Sequence, residues 1–129
     1  MSAFEDNLDV KLVSDSTNSG RGTWRLLSPL VYHSDIAGMT FTVPAGFETD
    51  FASVPRVILA FVMVGDTAHE ASALHDWLYT AHLVSRAMAD AVLREAACAS
   101  GVPAWRVWLL WAGVRIGGGG KQWNGAATA

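Results

Sequence analysis

Cysteine is nearly absent from this 129-residue chain, Cys98 being the only one. One thiol cannot form an intramolecular disulfide, and it excludes a four-thiolate zinc site. Charge is scarce as well: 16% of the residues are charged, against 51% hydrophobic. So little charge excludes a solvated disordered chain, and the length is that of one ordinary domain able to bury a core without staples. Basic residues number nine against twelve acidic ones, for a net charge of −3, and no run of Lys or Arg occurs. Nucleic-acid affinity rests on clustered cations, so nucleic acid is not an expected partner. Long apolar runs are also missing: residues 57–64 and 102–116 are the most apolar stretches, and both fall short of the roughly 20 residues that span a bilayer. The start of the chain carries Glu5 and Asp6 where a signal peptide carries positive charge, so the expectation is cytoplasmic synthesis with no signal peptide and no transmembrane helix.

What is present changes its period near residue 55. Before it, β-rich stretches at residues 10–13 and 23–33, the latter interrupted at Ser28-Pro29, flank the turn-rich residues 15–22; these read as strands of an antiparallel sheet. Met39-Thr40-Phe41-Thr42-Val43 alternates apolar and polar, Pro44-Ala45-Gly46 turns the chain and Phe47-Glu48-Thr49-Asp50 resumes it, a hairpin signal. From Pro55 the pattern is helical, with a short apolar helix closing near Gly65. Thr67-Ala68-His69-Glu70 fits a capping box for a helix running to about Ala81. Ser85 caps a second helix ending at Ser100-Gly101, and Pro103 opens a third that stops at the glycines of 117–120. Those signals are the usual start and stop chemistry of helices. Strands followed by helices predict an α+β fold, a small N-terminal antiparallel β-sheet followed by a three- or four-helix bundle. The expected organisation is one domain, with a β-rich part at 8–54, a helical part at 55–117 and a flexible tail at 118–129.

The chemically loaded residues lie in the first long helix and its successor. At about 100° per residue, Ala71, Leu74, Leu78 and Ala81 form one apolar stripe with His75 on its edge; His69, Ser72 and Asp76 lie on a polar side, and Tyr79 falls between the two. The connection to the next helix is short enough for an antiparallel hairpin, and a turn centred at 82–84 brings Asp90 opposite His75 or Trp77. A carboxylate on one imidazole nitrogen fixes the tautomer and leaves the other nitrogen to take a proton from water, a general-base arrangement. The competing reading is structural: Arg86, Asp90 and Arg94 are spaced by four and can form a surface ion-pair ladder. A metal gripped by His69 with His75 or Asp76 is disfavoured, because those pairs are six and seven residues apart, the latter a rise of roughly 10 Å. H-E-x-x-H, G-x-S-x-G, a phosphate-cradling glycine loop and a Cys-His nucleophile pair are all missing.

Two resemblances bear on these residues. Phe41 through Arg56, including Thr49-Asp50-Phe51-Ala52-Ser53-Val54-Pro55, together with His69, His75-Asp76-Trp77-Leu78-Tyr79, Arg86 and Ala89-Asp90, resembles a domain-of-unknown-function family of bacteriophages and prophages, over roughly residues 23–117. The resemblance implies a phage or prophage origin, with synthesis in the host cytoplasm and a place in the virion, but no chemistry. The segment after the hairpin suits a loop that sets Asp50 and Ser53, with Arg56, beside the helices. It equally suits a strand end and helix cap in which Asp50 and Ser53 bond local backbone N–H groups.

The second resemblance is narrower. His75-Asp76 with Tyr79, followed by Ala89-Asp90, is similar to the helical hairpin of phospholipase A2 enzymes. It implies that His75 activates water, that Asp90 orients His75, that Tyr79 belongs to the same catalytic group and that Asp76 ligates calcium. The glycine-rich calcium loop of that family is missing, and calcium takes six to eight oxygens, so Asp50, Glu48 or backbone carbonyls would have to complete the site. Trp105, Trp108, Trp111 and Ala112 recur at helical spacing in the last helix beside Arg106 and Arg115; they read first as core, next as a self-association or virion contact, and last as a membrane contact. Two functions follow: a phage hydrolase acting on lipid esters or other envelope components through His75 and Asp90, or a noncatalytic virion or tail component whose partners are other phage proteins or copies of itself.

Overall fold

Side chains alternate along residues 30–34, with Leu30, Tyr32 and Ser34 buried and Val31 and His33 half-buried, so one face of this strand is committed to an interior. The computed structural model of the chain describes residues 2–5, 10–14, 23–49 and 69–117. Its strands are β1 (Ala3–Phe4), β2 (Val10–Ser14), β3 (Thr23–Leu26), β4 (Leu30–Ser34), β5 (Met39–Val43) and β6 (Glu48–Thr49). They form two three-stranded antiparallel sheets, β1-β4-β5 and β2-β3-β6. Tyr32 pairs with Phe41 and Leu30 with Val43 across β4 and β5, which puts four buried side chains on one face. The turn between these strands ends at Gly38, whose positive φ of 66° suits a residue without Cβ.

The expected hairpin of 39–43 with 47–50 is corrected. β5 pairs with β4, whereas β6 pairs with β3 in the other sheet, Trp24 facing Thr49 and Arg25 facing Glu48. Pro44, Ala45 and Gly46 do turn the chain, Phe47 N–H bonding the Pro44 carbonyl at 3.2 Å, but they carry it from one sheet to the next. Gly46, at φ 89°, donates to the Leu26 carbonyl at 2.8 Å, and Leu26 donates to the Phe47 carbonyl at 2.9 Å. These long-range bonds outweigh the local hairpin preference of the sequence.

Three helices follow among the described residues: α1 (His69–Ala81), α2 (Arg86–Ala99) and α3 (Ala104–Gly117). α1 ends at about Ala81 as expected, and His82, at φ 53°, donates its N–H back to the Leu78 carbonyl. Ser85 caps α2, its hydroxyl accepting from Met88 N–H at 3.1 Å. Gly101, at φ 89°, stops it, with Val102 N–H returning to the Ala97 carbonyl. The Pro103 carbonyl accepts the first N–H groups of α3, from Arg106 and Val107. The α+β class read from the sequence is the architecture observed. The helix expected at 55–65, the start of the capping box at Thr67-Ala68 and the tail at 118–129 lie outside the described residues.

Ala71, Leu74 and Leu78 of α1 are buried against Ala89, Val92, Leu93 and Ala96 of α2; alanines on the facing side let the two helices approach closely. Val107, Leu110 and Val114 of α3 complete this core, and Leu26, Leu30, Tyr32, Phe41 and Val43 bring the sheets into it. Each large aliphatic side chain so buried contributes about 1.5–3 kcal/mol. The tryptophans do not occupy the core as first expected: Trp105 and Trp108 are exposed and Trp111 is half-buried. Smaller Val107, Leu110 and Val114 take the inward positions.

Candidate functional site: a buried histidine and aspartate cluster

α1 and α2 form the expected antiparallel hairpin, and its register brings His75 to Asp90. His75 Nε2 lies 2.7 Å from Asp90 Oδ1, and neither side chain has exposed surface. Tyr79, one turn on from His75, donates its hydroxyl to the same Oδ1 at 2.7 Å, and its ring lies 4.2 Å from the imidazole between centroids. The other carboxylate oxygen, Oδ2, accepts from Arg115 Nη1 of α3 at 2.9 Å. Burial pushes the Asp90 carboxyl upward, but the bonds from His75, Tyr79 and Arg115 and the attraction of His75 outweigh it and hold the group below its ordinary value. Asp90 is therefore a carboxylate and an acceptor only, so the His75 nitrogen facing it, Nε2, carries a proton.

Arg86 extends the cluster. Its Nε donates to the Tyr79 hydroxyl at 3.3 Å, and its Nη2 donates to the carbonyls of Val114 and Arg115 at 2.9 and 2.8 Å. The last turn of α3 thus has a cation on its unpaired carbonyls, the favourable end of the helix dipole. Burial first, and then the bond to Asp90, raises the Tyr79 phenol well above its ordinary value, which keeps it a donor. The ladder of Arg86, Asp90 and Arg94 does not form: Asp90 takes its cation from Arg115, Arg86 clamps Tyr79 to α3, and Arg94 lies over the Trp111 ring at 5.7 Å.

Asp76 is buried too, and accepts a hydrogen bond from the Thr49 hydroxyl of β6. The side of α1 that carries Ser72 and Asp76 is therefore packed on the sheet and not solvated. Ser72 Oγ and Trp77 Nε1 are buried there and have no hydrogen-bond partner among the described residues, while the Trp77 ring meets Phe47 edge to face at 5.3 Å. Glu48, offered by the sequence as a calcium ligand, points away: its side chain is exposed and paired with Arg25 at 2.7 Å. Among the described residues no three His, Cys, Asp or Glu side chains converge on one metal position, and one oxygen of Asp76 is already taken by a hydroxyl donor. The described residues by themselves do not supply the six or more oxygens that a calcium ion takes. Asp50, Ser53 and Arg56 lie outside the described residues, as does the side chain of His69, whose backbone begins α1.

Two site residues escaped the sequence reading. Arg115 has a legible signal, since an antiparallel turn centred on Gly101 and Val102 brings the last turn of α3 opposite the first turn of α2. Glu95 has less of one. It sits at the edge of the apolar stripe of α2 and accepts from Tyr32 and Ser34 hydroxyls at 2.8 and 2.7 Å and from Ile36 N–H at 2.8 Å. Burial raises the Glu95 carboxyl, and the bonds from Ser34, Ile36 and Tyr32 more than reverse this, leaving it below its ordinary value.

Fold and site together define an α+β protein in which α1, α2 and α3 are pinned to one another by a buried carboxylate and its partners. Residues 24–114 match a family described as Protein of unknown function (DUF1353), and the chain belongs to that family. No curated protein and no solved structure matches it. Among the described residues no helix is long and apolar enough to cross a membrane.

Proposed function

We propose that this chain is a bacteriophage or prophage protein that works without catalysis, as a structural or adaptor component of the virion or tail. The observation that carries the noncatalytic part is the burial of His75 and Asp90, both without exposed side-chain surface. A general base must reach water or substrate, and here neither ring nitrogen meets solvent. The cluster has a sufficient structural role: through Asp90, Tyr79, Arg86 and Arg115 it ties α1, α2 and α3 together. The phage assignment rests on the resemblance of the segment ending Ser53-Val54-Pro55 and of His75-Asp76-Trp77-Leu78-Tyr79 to phage and prophage sequences.

A second reading, a hydrolase of lipid esters, draws on one specific observation: His75, Tyr79 and Asp90 meet as the likeness to the phospholipase A2 hairpin requires. It needs an opened state in which the imidazole reaches a substrate. One experiment separates the two. The parent chain and His75→Gln are incubated with mixed phospholipid vesicles and with peptidoglycan, with and without calcium, while thermal unfolding of both is followed. The adaptor reading expects no hydrolysis by either and a lower Tm for the variant; turnover by the parent that His75→Gln abolishes reverses the choice.

A further inference from the structure

β4 pairs with β5 over five positions, Leu30 to Ser34, and with β1 over two, Tyr32 and His33. Neither β1 side chain is fully buried, Ala3 being exposed and Phe4 half-buried, whereas Tyr32 and Ser34 of β4 are closed to solvent. β4 is held in place by other elements: β5 pairs along one edge, and Glu95 of α2 takes the Tyr32 and Ser34 hydroxyls and the Ile36 N–H. A strand that adds so few contacts to a seat built without it opens at low free energy, ahead of global unfolding.

The seat also reads the side chains of the strand it holds. Ser2 Oγ accepts from Asp35 N–H at 2.9 Å and meets the Tyr32 hydroxyl and the Glu95 carboxylate. The Phe4 ring lies on Tyr32, centroids 4.6 Å apart. Glu5 N–H donates to the Val31 carbonyl at 3.0 Å, and the Glu5 carboxylate lies 2.6 Å from His33 Nε2, while Thr40 Oγ1 lies 2.9 Å from Nδ1 of the same ring. In strand addition the backbone pairing supplies affinity and the side-chain seats supply selectivity. The pattern selected here is hydroxyl, small, aromatic, acid.

We propose that the β4 edge covered by β1 is a strand-acceptor site with an exchangeable occupant, and that residues 2–5 of a second copy take the place of the chain's own β1. The exchanged strand makes the same contacts, so exchange loses no interaction and is governed by concentration. A segment on its own chain competes at an effective concentration in the roughly millimolar range. Exchange therefore takes hold where copies are gathered to about that density, or where the resident strand is weakened. A strand from an unrelated protein would have to reproduce the hydroxyl, the aromatic ring and the acid in one register, which a second copy does by identity.

The test follows backbone amide NMR signals of isotope-labelled full-length chains. An unlabelled peptide with the sequence of residues 1–7 is titrated into the parent, into Phe4→Ala and into Glu5→Ala, the last a surface substitution, and circular dichroism checks that each keeps its fold. Saturable shifts are expected at Val31 and His33, with binding at least about tenfold tighter in Phe4→Ala than in the parent and intermediate in Glu5→Ala. A peptide carrying Phe4→Ala is expected to produce none. Unlabelled parent chain at about 1 mM should move the same signals of labelled Phe4→Ala. Absence of shifts in both weakened variants, or equal shifts with the substituted peptide, overturns the strand-acceptor site. Shifts with the peptide but none with the parent chain overturn exchange between copies. The site uses none of His75, Tyr79, Arg86, Asp90 and Arg115, so hydrolytic turnover in the earlier experiment would leave it standing, and its failure would leave the noncatalytic reading intact.

Discussion

His75 Nε2 and Asp90 Oδ1 meet at 2.7 Å across the α1–α2 hairpin with no exposed surface on either side chain. The carboxylate is balanced by Arg115, whose side chain is one-third exposed, so the cluster reaches solvent through its guanidinium and not through its imidazole. That direction of access governs how each substitution acts.

Removing the carboxylate leaves three donors facing an apolar interior. Asp90→Ala is expected to cost about 3–5 kcal/mol of stability, the usual effect of breaking a buried ion pair from one side. Asp90→Asn, which retains an acceptor oxygen but loses the charge, falls between Ala and the parent. Urea unfolding of the two variants measures both; a loss under about 1 kcal/mol for Asp90→Ala would show that the cluster contributes little to folding.

The register behind this contact is legible in the sequence because it depends only on the helical repeat and a short turn, and Ser85 and Gly101 mark the ends of α2 with familiar capping chemistry. What surrounds Asp90 is less legible. A carboxylate flanked by Arg86 and Arg94 at four-residue spacing reads as a solvated ladder until α3 is packed on α2, and only then do Arg115 and the α3 carbonyls compete for these groups. The turn at Gly46 fails for a related reason: its local pattern is that of a hairpin, but its N–H bonds Leu26, twenty positions away. Trp105 and Trp108 show the limit of periodicity, which says that side chains share a face and not whether that face is covered.

Acid should loosen the molecule at two carboxylates. Asp90 and Glu95 both sit below their ordinary values in the folded state, although burial pulls each upward. A depressed folded value means a contribution fully present above the ordinary carboxylate range and lost as pH falls through that range toward the folded value. Tm is therefore expected to fall as pH drops below about 4.5, the ordinary value for Glu95. Glu95→Gln should flatten part of that slope, since Gln keeps acceptor capacity for Tyr32 and Ser34 but does not titrate. Equal slopes for parent and variant would remove Glu95 from the acid response.

Arg86 and Tyr79 act as one unit. The phenol donates to Asp90 while accepting from Arg86, and Arg86 also caps α3. Tyr79→Phe is expected to cost about 1–2 kcal/mol by leaving a buried acceptor short of one donor. Arg86→Lys should cost more, because an ammonium lacks the planar fork that reaches a phenol and two carbonyls together. In a double-mutant cycle the two should couple by about 0.5 kcal/mol or more; strict additivity would mean that the 3.3 Å contact between them carries no energy.

Asp76 distinguishes a structural carboxylate from a metal ligand. It receives the Thr49 hydroxyl, which ties α1 to the edge of the β2-β3-β6 sheet, so its expected role is to hold sheet and helices in place. If so, Thr49→Val and Asp76→Ala should each destabilise by about 1–3 kcal/mol through an unsatisfied buried partner. Their effects should be less than additive in combination, because the same bond is lost in each. Calcium should then leave Tm unchanged, since an ion that binds the folded state at concentration well above its Kd adds about 2.7 kcal/mol at a hundredfold excess and could not go unseen. A calcium-dependent rise in Tm that Asp76→Asn abolishes would reassign this carboxylate to a cation and supply the ion that the lipid-ester hydrolase reading needs.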